Sequence, residues 1–237
     1  MITSPYWNIS NEDALCWTEG EFFLAWLKLS SCVDGQFTCH DGQCVTMEER
    51  CDQVPNCQDE SDERQCQLVL MKDSYNRKVA PITTISAEDF TLVPVPVTIS
   101  ITLLKIVSME EVAHSIDFQF EISLKWRDIR LTYMNLKTKS SLNALSDADI
   151  SALWLPRVIY ANTDQKKTTK VGYEWDTIVT IIKEGNFTRS GLETVDETEM
   201  FQGDENSLVM SQIYSHKFQC QYYLERYPFD TQVKINI

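Results

Sequence analysis

From Ile116 to Trp126 the chain alternates without a slip. Even positions read Ile116, Phe118, Phe120, Ile122, Leu124 and Trp126, while odd positions read Asp117, Gln119, Glu121, Ser123 and Lys125. A period of two puts the apolar set on one face of a strand and the polar set on the other. Val93 to Ile106, Val171 to Ile182 and Leu208 to Tyr223 read as further strands. Pro94 and Pro96 stand at the start of the first of these, where a missing donor does least harm. Only Ser146 to Leu153 carries a helical turn's signature, with Asp147 and Asp149 near its start. Several strands with little helical periodicity predict an antiparallel β-sandwich. Gly191 to Asn206, with six acidic and no basic residues, reads as a solvated loop.

Length and charge sharpen this picture. A chain of 237 residues can hold one sizeable core and a small module. No run of 18 apolar residues occurs, so the sequence contains no membrane-spanning helix. Phe22 to Leu29 is apolar but short and lacks a basic leader, so it does not read as a signal peptide, and an incomplete N-terminus is expected. Residues 1–66 carry 13 acidic and 3 basic side chains, whereas the remainder carries 22 and 18. That acidic first third argues against nucleic acid and anionic membrane surfaces as partners and suits a hard cation or a basic ligand.

Six of the eight cysteines lie between Cys32 and Cys66, which means disulfides or zinc. The intervals of 6, 4, 6, 5 and 8 residues include no Cys-x2-Cys unit, and the one histidine among them is His40. Disulfides therefore fit better, in an oxidising extracellular setting. So short a segment cannot offset its chain entropy with a core and needs staples. Asp59, Glu60, Asp62 and Glu63 crowd four carboxylates into five residues, with Asp52 just after Cys51. Like charges at that density call for a cation, and calcium, with loose geometry and oxygen ligands, suits them. Asn8 and Asn186 head glycosylation sequons, and residues 1–31, with Cys16, read as the tail of a preceding disulfide-bonded domain.

The cysteine spacing, Phe37-x-Cys39 and the Cys57-x-Asp59-x-Ser61-Asp62-Glu63-x-x-Cys66 tail resemble an LDL-receptor class A repeat over residues 32–66. The resemblance implies the pairing Cys32–Cys44, Cys39–Cys57 and Cys51–Cys66. It also implies calcium held by side chains of Asp52, Asn56, Asp62 and Glu63 and by the carbonyls of Glu49 and Val54. Two positions depart from the family pattern: Asn56 stands where Asp is usual, removing a charge, and Glu49 replaces the usual Trp.

Residues 67–237 resemble the extracellular ligand-binding domain of Cys-loop pentameric ligand-gated ion channels at four points in the family's order. Tyr75-Asn-Arg-Lys-Val-Ala-Pro81 resembles the lead-in to the first strand, and Trp126-Arg-Asp128-Ile-Arg130-Leu131 the Trp-x-Asp end of the second. Leu153-Trp154-Leu-Pro156 with Tyr160-Ala161-Asn162 resembles the first principal-face pocket loop. Cys220 to Gln232, around Tyr227-Pro228-Phe229-Asp230, resembles the signature loop, although Lys234 stands where the closing cysteine belongs. The implied fold is mainly β, an immunoglobulin-like β-sandwich that is an incomplete ligand-binding domain, preceded by the small disulfide-rich calcium-binding module. Arg157 departs from the family, which usually has Asp after the pocket-loop proline.

The resemblance implies a small-molecule agonist bound between neighbouring subunits of a homo- or hetero-pentamer at the cell surface. It assigns Gln119, Glu121 and Ser123 to the complementary face of that pocket and Tyr160, Ala161 and Asn162 to the principal face. Glu121 offers a formal charge for a ligand's amine. Coupling to a pore is implied for the Met109-Glu110-Glu111 turn and for Tyr227, Pro228, Phe229 and Asp230. The membrane domain and the remaining pocket loops would follow Ile237, so a receptor fragment or truncated product is expected. Two other classes stay open: a secreted pore-less oligomeric binding protein, and an adhesion or endocytic receptor ectodomain. His40, His114 and His216 have no base–nucleophile or metal spacing, which argues against an enzyme.

Overall fold

A computed structural model describes residues 31–33, 35–84, 92–110, 112–160, 169–170, 177–187 and 198–219. The expectations placed on Asn8, Cys16, Glu111, Ala161, Asn162, Cys220, Tyr227, Pro228, Phe229, Asp230 and Lys234 lie outside the described residues. The cysteine module opens with a hairpin of β1 (Gln36–Thr38) and β2 (Cys44–Thr46), followed by a 3-10 turn at Ser61–Glu63. Three disulfides join Cys32 to Cys44, Cys39 to Cys57 and Cys51 to Cys66, the pairing that the resemblance implies. Phe37, Val45, Cys39 and Cys57 form its small core. So few apolar side chains cannot hold thirty-odd residues by burial alone, and the cross-links supply the rest.

The remainder is mainly antiparallel β and sandwich-like. The large sheet runs in the order β10 (Ile178–Ile182), β12 (Ser207–Gln219), β7 (Ser115–Trp126), β6 (Thr98–Glu110), with β9 (Thr169–Lys170) also on β12. A smaller sheet holds β11 (Met200–Gln202), β8 (Leu131–Met134) and β3 (Val69–Met71). Both contribute to one core. Phe120, Ile122, Leu124 and Trp126 of β7 are buried with Val179, Ile181, Leu208 and Met210 from the large sheet and Val69, Leu131, Tyr133 and Phe201 from the small one. The even-numbered positions of β7 carry its fully buried apolar side chains, as the alternation requires.

Three expectations need correction. Val93 to Ile106 is not one strand. Leu92–Pro94 (β5) pairs with Ile82–Thr84 (β4), and β6 begins only at Thr98, after the Pro94-Val95-Pro96 run has interrupted the ladder's donors. Gly191 to Asn206 is not wholly a solvated loop. Its last part forms β11, whose Phe201 is fully buried, and ends on the buried Asn206. Acidity there hid a core aromatic. The third concerns the Met109-Glu110 turn: both residues finish β6, and the turn proper spans residues 112–114, with His114 in the left-handed region. The predicted helical turn is present as α1 (Asp147–Ala152), capped by the Ser146 hydroxyl accepting from the Asp149 N–H.

Buried asparagines stitch the connections. Asn143 accepts from the Lys137 N–H at 2.8 Å and donates to the carbonyls of Lys137 and Ile181. Asn206 accepts from the N–H groups of Glu184 and Gly185 and donates to Gln202. Each amide satisfies backbone groups that no ladder reaches. Beside Asn206, Glu184 meets Lys125 at 2.5 Å and Arg127 at 2.8 Å and accepts from Ser207 at 2.8 Å. These partners, Lys125 foremost, hold its carboxyl at about 2. Among the described residues no helix is long and apolar enough to cross a membrane.

In β6 the apolar pattern and the burial part company. Ile99, Ile101 and Leu103 lie opposite Leu124, Ile122 and Phe120, and so continue the core face, yet each is more than half exposed. Ile181→Ala should cost about 2–5 kcal/mol, as large-to-small core changes do, whereas Ile101→Ala should stay within about 0.5 kcal/mol. Urea denaturation of the two variants compares them directly. A second expectation follows from Glu184. Because its folded value is depressed, its contribution is fully present above about pH 4.5 and is lost as pH falls toward 2. After allowance for solvent screening, Glu184→Gln should cost about 1 kcal/mol at pH 7. The difference from wild type should close between pH 4.5 and 2 in the same assay.

Candidate functional site

Three of the four family-like motifs meet at one buried carboxylate. Asp128 is fully buried at the corner between β7 and β8. Its Oδ1 accepts from the Arg130 Nε at 2.7 Å and the Arg130 N–H at 3.1 Å, and its Oδ2 accepts from an Arg130 guanidinium nitrogen at 2.6 Å. The Tyr75 hydroxyl donates to the same Oδ2 at 3.1 Å and accepts from the Trp154 N–H at 3.0 Å. Arg130 continues to the Val79 carbonyl at 2.9 Å and covers the Tyr75 ring. Burial, then the Asp128 charge, pushes the Tyr75 hydroxyl up to about 12, so it remains a donor throughout the physiological range. The rings of Trp126 and Trp154 meet edge-on at 6.2 Å. The motifs thus form one joint between lead-in, second strand and pocket loop.

Gly203 closes that joint and gives no sequence signal of its own. A Cβ there would stand 2.1 Å from the Asp128 carbonyl oxygen and 2.7 Å from that of Leu131, so only glycine lets β11's turn seat against the corner.

The expected agonist residues fall on opposite faces of the sheet. Gln119, Glu121 and Ser123 share the polar face of β7. Across the ladder, Glu121 has Thr102 on one side and Ile213 on the other, and Ser123 has Ser100 and Ser211. The hydroxyls of Ser211 and Ser123 are hydrogen-bonded at 3.2 Å. Glu121 therefore stands between Thr102 and Ile213, next along the sheet to a row of three serines, Ser100, Ser123 and Ser211. Tyr160 lies on the other face, against Phe120, Tyr214, Phe218 and, at 4.6 Å, His216. Burial raises its hydroxyl's pKa and lowers that of His216. One copy of the chain therefore does not bring Tyr160 and Glu121 together. At the sheet's far end Glu110 pairs with Lys217 at 2.9 Å. Gln219, the last described residue of β12, pairs with Ser115, at the same end of the sheet as the β6–β7 turn.

In the cysteine module, oxygens converge on the side chain of Asn56. Its Nδ2 lies 2.9 Å from the Val54 carbonyl, 3.3 Å from Asp52 Oδ1 and 3.4 Å from the Glu49 carbonyl. Its backbone N–H donates to Asp62 Oδ2 at 2.6 Å. Asp62 is fully buried, and its Oδ1 has no hydrogen-bond partner. Glu63 accepts from the Asp52 N–H at 2.8 Å; burial raises its pKa, with Asp52 and Asp62 adding to the effect. The carboxylate of Glu49 turns away to cap Thr46, which lowers its pKa and leaves only its carbonyl facing Asn56. Cys51 and Gln53, on either side of Asp52, both adopt positive φ, a conformation that the cross-links sustain. Among the described residues no three His, Cys, Asp or Glu side chains gather closely enough to hold a metal by themselves.

Sequence reasoning missed the seam between module and sandwich. The buried Lys137 ammonium donates to the Met47 carbonyl, and burial lowers its pKa. Thr138 donates to Glu48 at 3.0 Å, and Lys183 approaches the same carboxylate at 3.7 Å while also meeting the Leu136 carbonyl and the Phe201 ring. An acidic module facing two lysines of the body was the available signal.

Fold and site together define a β-sandwich binding domain with a disulfide-stapled acidic module docked on it. Residues 63–233 match the family model of the neurotransmitter-gated ion-channel ligand binding domain, and residues 30–66 match the low-density lipoprotein receptor domain class A. The chain belongs to the neurotransmitter-gated ion-channel ligand-binding family, whose role is extracellular ligand binding. No curated protein matches it significantly. The Asp128 joint makes a direct prediction. Asp128→Ala strands the Arg130 charge and should cost about 3–5 kcal/mol, against about 1–2 kcal/mol for Tyr75→Phe. Chemical denaturation should rank the two in that order.

Proposed function

We propose that this chain is the extracellular ligand-binding part of a pentameric ligand-gated channel subunit, coupling agonist binding to pore opening, with residues 32–66 as an accessory calcium-binding module and residues 67–237 as the N-terminal part of the ligand-binding domain. The observation that carries the reading is the opposite placement of Glu121 and Tyr160 on one sheet, inside a chain of this family. Residues on opposite faces serve one pocket only when two copies adjoin, as principal and complementary sides of a subunit interface. On that reading Gln119, Glu121 and Ser123 supply one wall, and Tyr160, Ala161 and Asn162 supply part of the other. Glu121, flanked by Thr102 and near the Ser123–Ser211 pair, bears a formal charge that suits a protonated amine.

The turn after Glu110, through Glu111, and the Tyr227-Pro228-Phe229-Asp230 loop would carry closure of that pocket toward the membrane. In support, Glu110 and Gln219, the last described residues of β6 and β12, lie at one end of the sheet, where Glu110 holds Lys217. The module's all-oxygen donor set, Asp52, Asn56, Asp62 and Glu63 with the Glu49 and Val54 carbonyls, suits a hard divalent cation such as calcium. The unpartnered buried Oδ1 of Asp62 supports this, since an unligated buried carboxylate oxygen is costly. Calcium there would neutralise the cage carboxylates. Asn186 is exposed, as a glycosylated residue must be, and Asn8 is the second candidate.

The transcript should continue into four apolar membrane-spanning helices, and sequencing that finds none would defeat the channel claim. The agonist claim is tested separately, by calorimetric titration of the purified full-length subunit, with the pocket loops expected after Ile237, against primary and quaternary amines. Sedimentation should show pentamers, and Glu121→Gln should weaken amine binding about tenfold or more. Equal binding by wild type and variant would remove Glu121 from the pocket.

A further inference from the structure

We propose that Asn56 is a built-in stand-in for the cation: its amide nitrogen holds the cage together when no cation is bound, and its carboxamide turns over to offer oxygen when one arrives. This rests on the calcium reading above and goes beyond it, because it assigns the residue that sets how tightly the module binds and whether it needs the ion to stay folded.

The geometry at Asn56 Nδ2 is that of a positive centre. One nitrogen is shared by the Val54 carbonyl at 2.9 Å, Asp52 Oδ1 at 3.3 Å and the Glu49 carbonyl at 3.4 Å. An amide NH2 has two protons, so three acceptors exceed what an ordinary paired amide takes. The three oxygens come from separate points of the chain, and all are in the donor set assigned to the ion. Asn56 is itself held from behind, its own N–H fixed to Asp62 Oδ2 at 2.6 Å. Its backbone therefore need not move. A half-turn of the carboxamide exchanges nitrogen for oxygen and converts a donor to the cage into a ligand within it. Asp62 Oδ1, buried and without a partner, is the group that the amide does not satisfy and that a cation would.

Charge sets the direction of the effect. Asp52, Asp62 and Glu63 bring three carboxylates to this loop, and an aspartate at position 56 would bring a fourth. A fourth charge draws a divalent cation more strongly, yet it repels the other three when the cation is absent. The neutral amide reverses both terms. The ion must break three amide contacts to enter, so binding is weaker, and the empty loop is bridged rather than repelled, so it stays ordered.

The test uses the full chain, folded with its disulfides, as wild type and Asn56→Asp. Calcium chloride is titrated calorimetrically after chelator treatment, and amide hydrogen exchange of residues 32–66 is followed with and without the ion. The variant should bind about ten times more tightly or better, while its module amides should exchange faster than wild type in chelator. In wild type, the Asn56 side-chain NH2 signals should be protected without calcium and lose protection at saturation. That reading needs no variant, so misfolding of Asn56→Asp would not spoil it. Calcium binding of equal strength in both proteins, or an Asn56 amide unchanged by saturation, overturns the stand-in role while leaving the calcium site intact. Absence of calcium binding in both overturns the calcium reading itself, and the stand-in role with it.

Discussion

The buried carboxylate of Asp128 is the constraint on which the body of this protein turns. A charge with no exposure is costly unless it is paired and hydrogen-bonded, and here Arg130 and Tyr75 engage both carboxylate oxygens from two directions. Satisfying that demand fixes the lead-in segment, the corner from β7 to β8 and, through the Trp154 N–H, the start of the pocket loop. The apolar core would tolerate small shifts of these segments. The hydrogen-bond geometry does not, and so it sets the register in which Trp126 meets Trp154.

A second joint works by burying a lysine. Lys137 and Lys183 of the body reach the Met47–Glu48 turn of the module, and the next residue, Glu49, turns its carbonyl toward Asn56. Three consecutive residues thus face the sandwich and the cage in turn. Rigid connection is the simplest consequence: the module is seated against the body rather than hung from a linker. Lys137 lies under the seam, where undocking would rehydrate it.

Much of this was legible in the chain. The alternation of Ile116 to Trp126 forecast the buried Phe120, Ile122, Leu124 and Trp126 of β7, because a strand's period is independent of context. Cysteine spacing forecast a stapled module, and the Trp126-x-Asp128 corner and Trp154 were recognisable by type. What escaped depends on partners distant in sequence. Phe201 sits in an acidic stretch, and its pairing with Tyr133 across β11 and β8 carries it into the core. Gly203 matters because a carbonyl some seventy residues earlier passes over it. Composition could not report either contact. The amide of Asn56 was readable as a lost charge but not as a donor, since that role appears only when three separate oxygens are folded around it.

Strand β6 carries a different consequence. Among the described residues it forms the border of the large sheet, thirteen residues long and exposed throughout, with isoleucines and leucines along it. A border of that kind is a template. Backbone groups along such a border accept another strand whatever that strand's sequence, and apolar side chains reward the addition. In solution this is the seam along which copies of the chain would stick to one another at high concentration. The lysine at 105 is its single charged gatekeeper before Glu110.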